Sequence, residues 1–158
     1  MKKHNYQISI EWTGNKGSGT TNYRSYGRDH EIIAPHKQIT IPGSSDASFK
    51  GDKTCYNPEE LLVSSISACH MLWYLHLCAD NGINVISYKD HATGIMEEFK
   101  NGSGKFSSVT LAPEIQIENY KEMNLKATEL HQEAHKLCFI ANSVNFEVIL
   151  QSKISSRV

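Results

Sequence analysis

The longest run of apolar positions lies mid-chain, from Leu61 to Ala79, between Asn57-Pro58-Glu59-Glu60 and Asp80-Asn81-Gly82. These flanks punctuate a helix. Asn57 suits the N-cap, Pro58 the first helical position and Glu60 the third residue of a capping box, while Gly82 suits a left-handed C-cap. About seven turns fit between them. Leu62, Ile66, Cys69, Trp73 and His76 form one heptad-like seam, and Leu61, Ala68, Leu72, Leu75 and Ala79 a second beside it. A helix apolar around most of its girth is usually buried within a fold or an assembly. His70, His76 and three serines interrupt the run and argue against a membrane span. The pattern therefore predicts that Cys69 lies at the middle of a buried helix.

Elsewhere the period is mostly two. Tyr6, Ile8, Ile10 and Trp12 alternate with polar residues, predicting a half-buried strand, and Thr20 to Tyr26 reads as its return strand across the turn Gly14 to Gly19. That glycine-rich turn lacks a G-K-[ST] and a following helix, so it is no phosphate loop. Ile32 to Ile41 resembles a strand broken by Pro35, and 42–56 an irregular loop leading into the helix. After the helix, Ile83 to Glu98 and Ser107 to Glu118 read as two long antiparallel strands joined by the turn at 100–105, with Pro113 at an edge or bulge. Asn124 caps a second predicted helix reaching about Ala141, with Ala127, Leu130, Ala134, Leu137 and Ala141 as its core seam. Val144, Phe146, Val148 and Leu150 alternate as a closing strand. The order β-β-(β)-α-β-β-α-β predicts a single α+β domain over 1–158, with antiparallel sheet and two principal helices.

Composition narrows the function. The 158 residues carry 16 basic and 17 acidic side chains, a formal net charge of −1, which leaves no electrostatic footprint for nucleic acid or an anionic membrane. Lys2-Lys3 is followed by polar residues, not by the apolar stretch of a signal peptide, so the expected compartment is the cytoplasm. There a paired cysteine is more often catalytic or metal-binding than structural.

None of the four cysteines, Cys55, Cys69, Cys78 and Cys138, forms a C-x-x-C pair. Cys69 and Cys138 sit on the two helices, which a compact fold can bring together. One thiol can then be oxidised to a sulfenic acid and the other can resolve it as a disulfide. The thiolate needs a cation, for which Arg28 in its irregular segment is the first choice, and Glu59 or Glu60 can anchor that guanidinium. A lone buried cysteine is otherwise an inert small hydrophobe, and the two glutamates have an ordinary role as first-turn acids. A competing constellation is His131, His135 and Cys138 at i, i+4 and i+7, with Cys69-His70 nearby, which suits zinc. It lacks the intervening glutamate of H-E-x-x-H. Cys55 and Cys78 read as bystanders.

The segment Asn57-Pro58-Glu59-Glu60-Leu61-Leu62, with Ser67-Ala68-Cys69 placing a cysteine ten residues after the first glutamate, resembles the OsmC/Ohr family of osmotically inducible and organic hydroperoxide resistance proteins. His135-Lys136-Leu137-Cys138 matches its second cysteine. The resemblance implies an intertwined homodimer and a thiol-dependent peroxidase acting on organic hydroperoxides. It implies Cys69 as peroxidatic thiol, Cys138 as resolving thiol and Glu59 as the residue orienting the site arginine. Reduction would be by a dithiol or lipoylated protein, without cofactor or metal. Gly27-Arg28-Asp29 is similar to the G-R-D segment supplying the arginine in the Ohr branch. The loop before the helix, where the OsmC branch carries its arginine, holds only Lys50, so Arg28 is favoured and Arg24 is the runner-up. Met71 to Tyr74 after Cys69, and Phe139-Ile140 after Cys138, depart from the pattern. The alternative is a small-molecule binding protein on the same fold, with an apolar pocket lined by Trp73, Tyr74 and Phe139.

Overall fold

The computed structural model describes residues 1–156. The chain forms two compact units, Met1–Leu61 and Leu62 onward. In the first, β1 (Ser9–Trp12), β2 (His30–Ile33) and β3 (Ile41–Gly43) make an antiparallel sheet in the order β1-β2-β3. The return strand is thus β2, not residues 20–26. That stretch is spent on local bonds, with the Arg24 amide donating to Asn22 Oδ1 and the Asn22 amide to Ser25 Oγ. Asn and Ser side chains compete in this way with a sheet ladder. The predicted strand over 32–41 divides at Pro35 and His36, the latter at φ +64°. The chain closes tightly where Gly27 N–H meets Gly14 O at 2.8 Å. A Cβ on Gly14 would collide with the Gly27 carbonyl, so only glycine fits. The expected half-burial of β1 is not found: Tyr6, Ile8, Ile10 and Trp12 are all exposed, Tyr6 by 89% and Trp12 by 42%.

The long helix α1 (Pro58–Asp80) begins and ends where its punctuation dictates. Glu60 N–H donates to Asn57 Oδ1 at 2.7 Å, and Asn57 N–H to Glu60 Oε2 at 3.1 Å, a reciprocal capping box. Such a cap stabilises by about 1 kcal/mol. At the other end Gly82 has φ +70°, Ile83 N–H bonds Cys78 O and Gly82 N–H bonds Ala79 O, a Schellman closure. Within the single chain, burial covers part of the girth. Burial follows one i, i+4 ridge of Ile66, His70, Tyr74 and Cys78, while Leu72 is 63% exposed and Cys69 only half-buried. By length and composition alone α1 is long and apolar enough to cross a membrane, a test that buried core helices also pass, so its polar residues do not decide the matter. Here its ridge packs instead into the core of the second unit.

In that unit, each of the two long strands expected after α1 is broken in two. β4 (Val85–Asp90) and β5 (Thr93–Glu98) belong to different sheets, as do β6 (Gly104–Leu111) and β7 (Pro113–Ile117). The break is a corner built by side chains. Asp90 Oδ1 accepts the Ala112 amide at 2.7 Å, and its Oδ2 accepts from Ser67 on α1 at 2.5 Å. Pro113, with no N–H to give, is the first residue of β7, which is the central strand of its sheet and not the expected edge. The closing strand breaks likewise into β8 (Glu147–Leu150) and β9 (Lys153–Ser156), the latter unforeseen. Sheet orders are β4-β7-β9 and β5-β6-β8, with β6–β8 and β7–β9 parallel, so the sheets are mixed within an α+β fold.

Helix α2 (Tyr120–Leu137) starts earlier than predicted. Asn119, at φ +55°, receives the amides of Glu122 and Met123 on its main-chain carbonyl, and Asn124 lies inside the helix. Ala127, Leu130 and Ala134 are buried against Tyr74, Cys78, Ile115 and Ile117. Leu137 is exposed, and Ala141 belongs to a short 3₁₀ turn beyond the helix.

Candidate active site

Cys69 stands mid-way along α1, and Cys138 is the residue at which α2 ends. Cys69 lies close enough to act on the Cys138 thiol, although 69 residues separate the two in sequence. Cys69 is half-buried and Cys138 fully buried; both are free. Burial, and then the neighbouring Cys69, push the Cys138 thiol up to about 11, against a weaker opposing pull from the Ala141 amide, which donates to its sulfur at 3.4 Å. At neutral pH Cys138 is therefore a protonated thiol beside a more accessible one. An aromatic wall adjoins the pair: Trp73, one turn beyond Cys69, meets Phe139 edge-to-face at 5.7 Å and His76 at 5.9 Å. A cavity of about 230 Å³ lies against Leu72, Trp73 and His76. Tyr74, expected beside Trp73 in an apolar pocket, is instead completely buried.

Sequence reasoning missed a buried histidine pair beside the thiols. His70 Nε2 and His131 Nδ1 are 3.1 Å apart, their rings within 2° of coplanar, and Tyr74 stacks on His131 at 3.9 Å. Burial, reinforced by His135 and opposed by Asp90, lowers His70 to about 4. Burial and then His70 lower His131 to about 3. Both imidazoles are neutral. His70 Nδ1, His131 Nε2 and the hydroxyls of Tyr74 and Tyr88 are buried with no hydrogen-bond partner among the described residues. The only sequence signal was position: His70 continues the Ile66 ridge by one turn, and His131 follows the core residue Leu130. Among the described residues, no three histidines, cysteines or carboxylates gather to hold a metal. His131 of the zinc constellation is committed to His70.

In the first unit, the half-buried Arg28 is fixed by its own segment. Nη1 donates to Tyr26 O at 2.6 Å and Nη2 to Tyr23 O at 2.8 Å, with the guanidinium carbon 4.2 Å from both tyrosine ring centres. Glu59 lies half-buried in the first turn of α1 and makes no ion pair among the described residues. The capping role goes to Glu60. Arg24 and Lys50, read as rival cations, line one cavity together with Arg28. Cys55 is half-buried in the loop before α1, while Cys78 is buried and its thiol raised by burial.

The family model for OsmC-like protein matches residues 51–153, two-thirds of the chain. The chain belongs to the OsmC-like family. This OsmC-like protein also aligns over nearly its whole length with solved structures. An OsmC-like protein of unknown function from Vibrio cholerae is 27% identical, with a TM-score of 0.84, over 97% of this chain and 100% of that one. An organic hydroperoxide resistance protein from Elizabethkingia anophelis is 18% identical with a TM-score of 0.67, covering 99% and 100%. Organic hydroperoxide resistance protein OhrB of Bacillus subtilis is 19% identical with a TM-score of 0.65, covering 95% and 98%. At these identities the latter two establish the shared fold. No curated protein matches the chain in sequence.

Proposed function

We propose that this OsmC-like protein is a thiol-dependent peroxidase that reduces organic hydroperoxides. The observation that carries the reading is the proximity of a half-exposed thiol, Cys69, to a buried, protonated one, Cys138. Its hydroperoxide-resistance structural neighbours support the same substrate class. The Cys69 thiolate attacks the outer peroxide oxygen. The O–O bond breaks, the sulfur becomes a sulfenic acid, and the organic fragment leaves as an alkoxide that takes up a proton. The Cys138 sulfur then attacks the sulfenic sulfur, giving a disulfide and water. An external dithiol, free or on a lipoylated protein, reopens the bond and is itself oxidised to a disulfide. The Gly27-Arg28-Asp29 and Asn57-Pro58-Glu59 motifs alone support Arg28 as the source of positive charge and Glu59 as its anchor; among the described residues the two make no ion pair.

Mass spectrometry after one equivalent of cumene hydroperoxide tests the scheme. The expected product is the chain lighter by two hydrogens, with Cys69 and Cys138 in one cross-linked peptide. A chain unchanged in mass would refute the peroxidase, and a stable gain of one oxygen would refute Cys138 as the resolving thiol.

We further propose that the working form is a homodimer. The apolar face of the first unit, from Tyr6 through Ile8 and Ile10 to Trp12, is exposed over the length of a strand, and such patches mark association surfaces. Light scattering is expected to give twice the 17.8 kDa chain mass. A monomer at micromolar concentration would contradict it.

A further inference from the structure

A cavity of about 650 Å³ in the first unit is lined by Lys16, Arg24, Arg28 and Lys50, with Asp29 and Asp52 as the only carboxylates. Among the described residues, none of these four cations has a carboxylate within 4.0 Å. Both acids are already engaged. Asp52 accepts from the Thr54 amide at 2.8 Å and its hydroxyl at 2.7 Å, bonds that also lower its pKa, and Asp29 accepts from Ser44. The cavity holds a surplus of two positive charges with no internal counter-charge in contact.

Its walls are fixed in advance. Arg28 is clamped by two carbonyls and two tyrosine rings, which use two of its five N–H groups and leave three to donate. Lys50 is held in the left-handed region at φ +65° by its amide bond to Ala47 O. Backbone kept in that region in a residue other than glycine is a mark of functional loops. Next to it, a Cβ on Gly51 would run into the Ser45 carbonyl, so the loop closes down fully against its neighbour. A cleft whose lining is net positive concentrates anions, and a guanidinium that is already ordered loses little freedom on binding.

We propose that this cavity is a binding site for a small anion carrying two or more negative charges on oxygen, of the phosphate or carboxylate kind. Arg28 presents its remaining N–H groups to the oxyanion, while Lys16, Arg24 and Lys50 supply charge from the rim. The site stands on the first unit alone, and an anion held there takes up the Arg28 N–H groups that the peroxidase reading offers to the thiolate.

Isothermal titration with pyrophosphate, and separately with citrate, at constant ionic strength tests it. At least one of the two is expected to bind at a single site with Kd below about 1 mM. The exposed double variant Lys16→Gln/Lys50→Gln is expected to weaken that binding by roughly tenfold, about threefold for each exposed ammonium group removed. Pyrophosphate binding without citrate assigns a phosphate ligand; citrate without pyrophosphate assigns a carboxylate. Absence of heat from both anions up to about 10 mM overturns the proposal, as does a double variant that binds as tightly as the parent.

Discussion

Cys69→Ser is expected to abolish turnover of cumene hydroperoxide with dihydrolipoamide, a loss of more than about a thousandfold. The physical reason is that the attacking species must be a thiolate, and a serine hydroxyl at the same place on α1 is neither ionised nor polarisable enough to break an O–O bond. Cys138→Ser is expected to behave differently. Its thiol is buried and protonated, so it does not attack peroxide, and its removal leaves the first step intact. That variant therefore consumes one equivalent of peroxide, gains one oxygen at Cys69, and then stalls or depends on an external thiol to continue. Steady-state and single-turnover rates for the two variants separate the roles. Undiminished turnover by Cys69→Ser would remove the reading altogether, and a Cys138→Ser variant unable to react even once would reverse the two assignments.

Acid is expected to unfold the second unit well before the carboxylates are exhausted. His70 and His131 are held near 4 and 3 when folded, against 6.5 when free. Between those limits the unfolded chain binds protons that the folded chain refuses, so stability rises with pH there. The stabilisation is fully present above pH 6.5 and is lost as pH falls towards 4 and 3, at about 1.4 kcal/mol per pH unit for each histidine. By pH 4.5 the pair accounts for a loss on the order of a few kcal/mol, a large fraction of a domain's stability. The groups facing the pair do not cancel this. Asp90 pulls His70 upward, but burial and His135 outweigh it. Urea unfolding followed by circular dichroism at pH 7.5, 6 and 5 measures the slope, and a profile flat between pH 7 and 5 would contradict the pairing.

Local signals make α1 legible, and distant partners hide much of the rest. The capping box at Asn57 and Glu60 and the left-handed Gly82 involve residues within a few positions of one another, so both helix ends follow from the sequence. The corner that divides the long strands depends on Asp90 reaching Ala112 and Ser67, 22 and 23 positions away, and leaves no mark in a period of two. Asn119 caps α2 through its main-chain carbonyl, so its side chain gives no clue, whereas Asn124 offers a cap that the helix does not use. That Cys69 and Cys138 come near one another is suggested by two helices in a small fold and by the family resemblance. The histidine contact, 61 positions apart, is not, because each histidine taken alone looks like an interruption of an apolar ridge. Arg28 stands out in the sequence for its irregular segment, and that irregularity is what supplies the carbonyls and rings holding it.

The two closed ends of α1 carry a mechanical consequence. A helix of 23 residues, about 35 Å long, that is free at one end absorbs an inserted or deleted residue by fraying there. Here the first turn is latched by Asn57 and Glu60 and the last by Gly82, so slack has nowhere to go. Removing one residue between either latch and Cys69 rotates the thiol by about 100° relative to that latch and shifts it by about 1.5 Å. The spacing from Asn57 to Cys69 thus acts as a ruler. It sets the azimuth at which the sulfur leaves the helix.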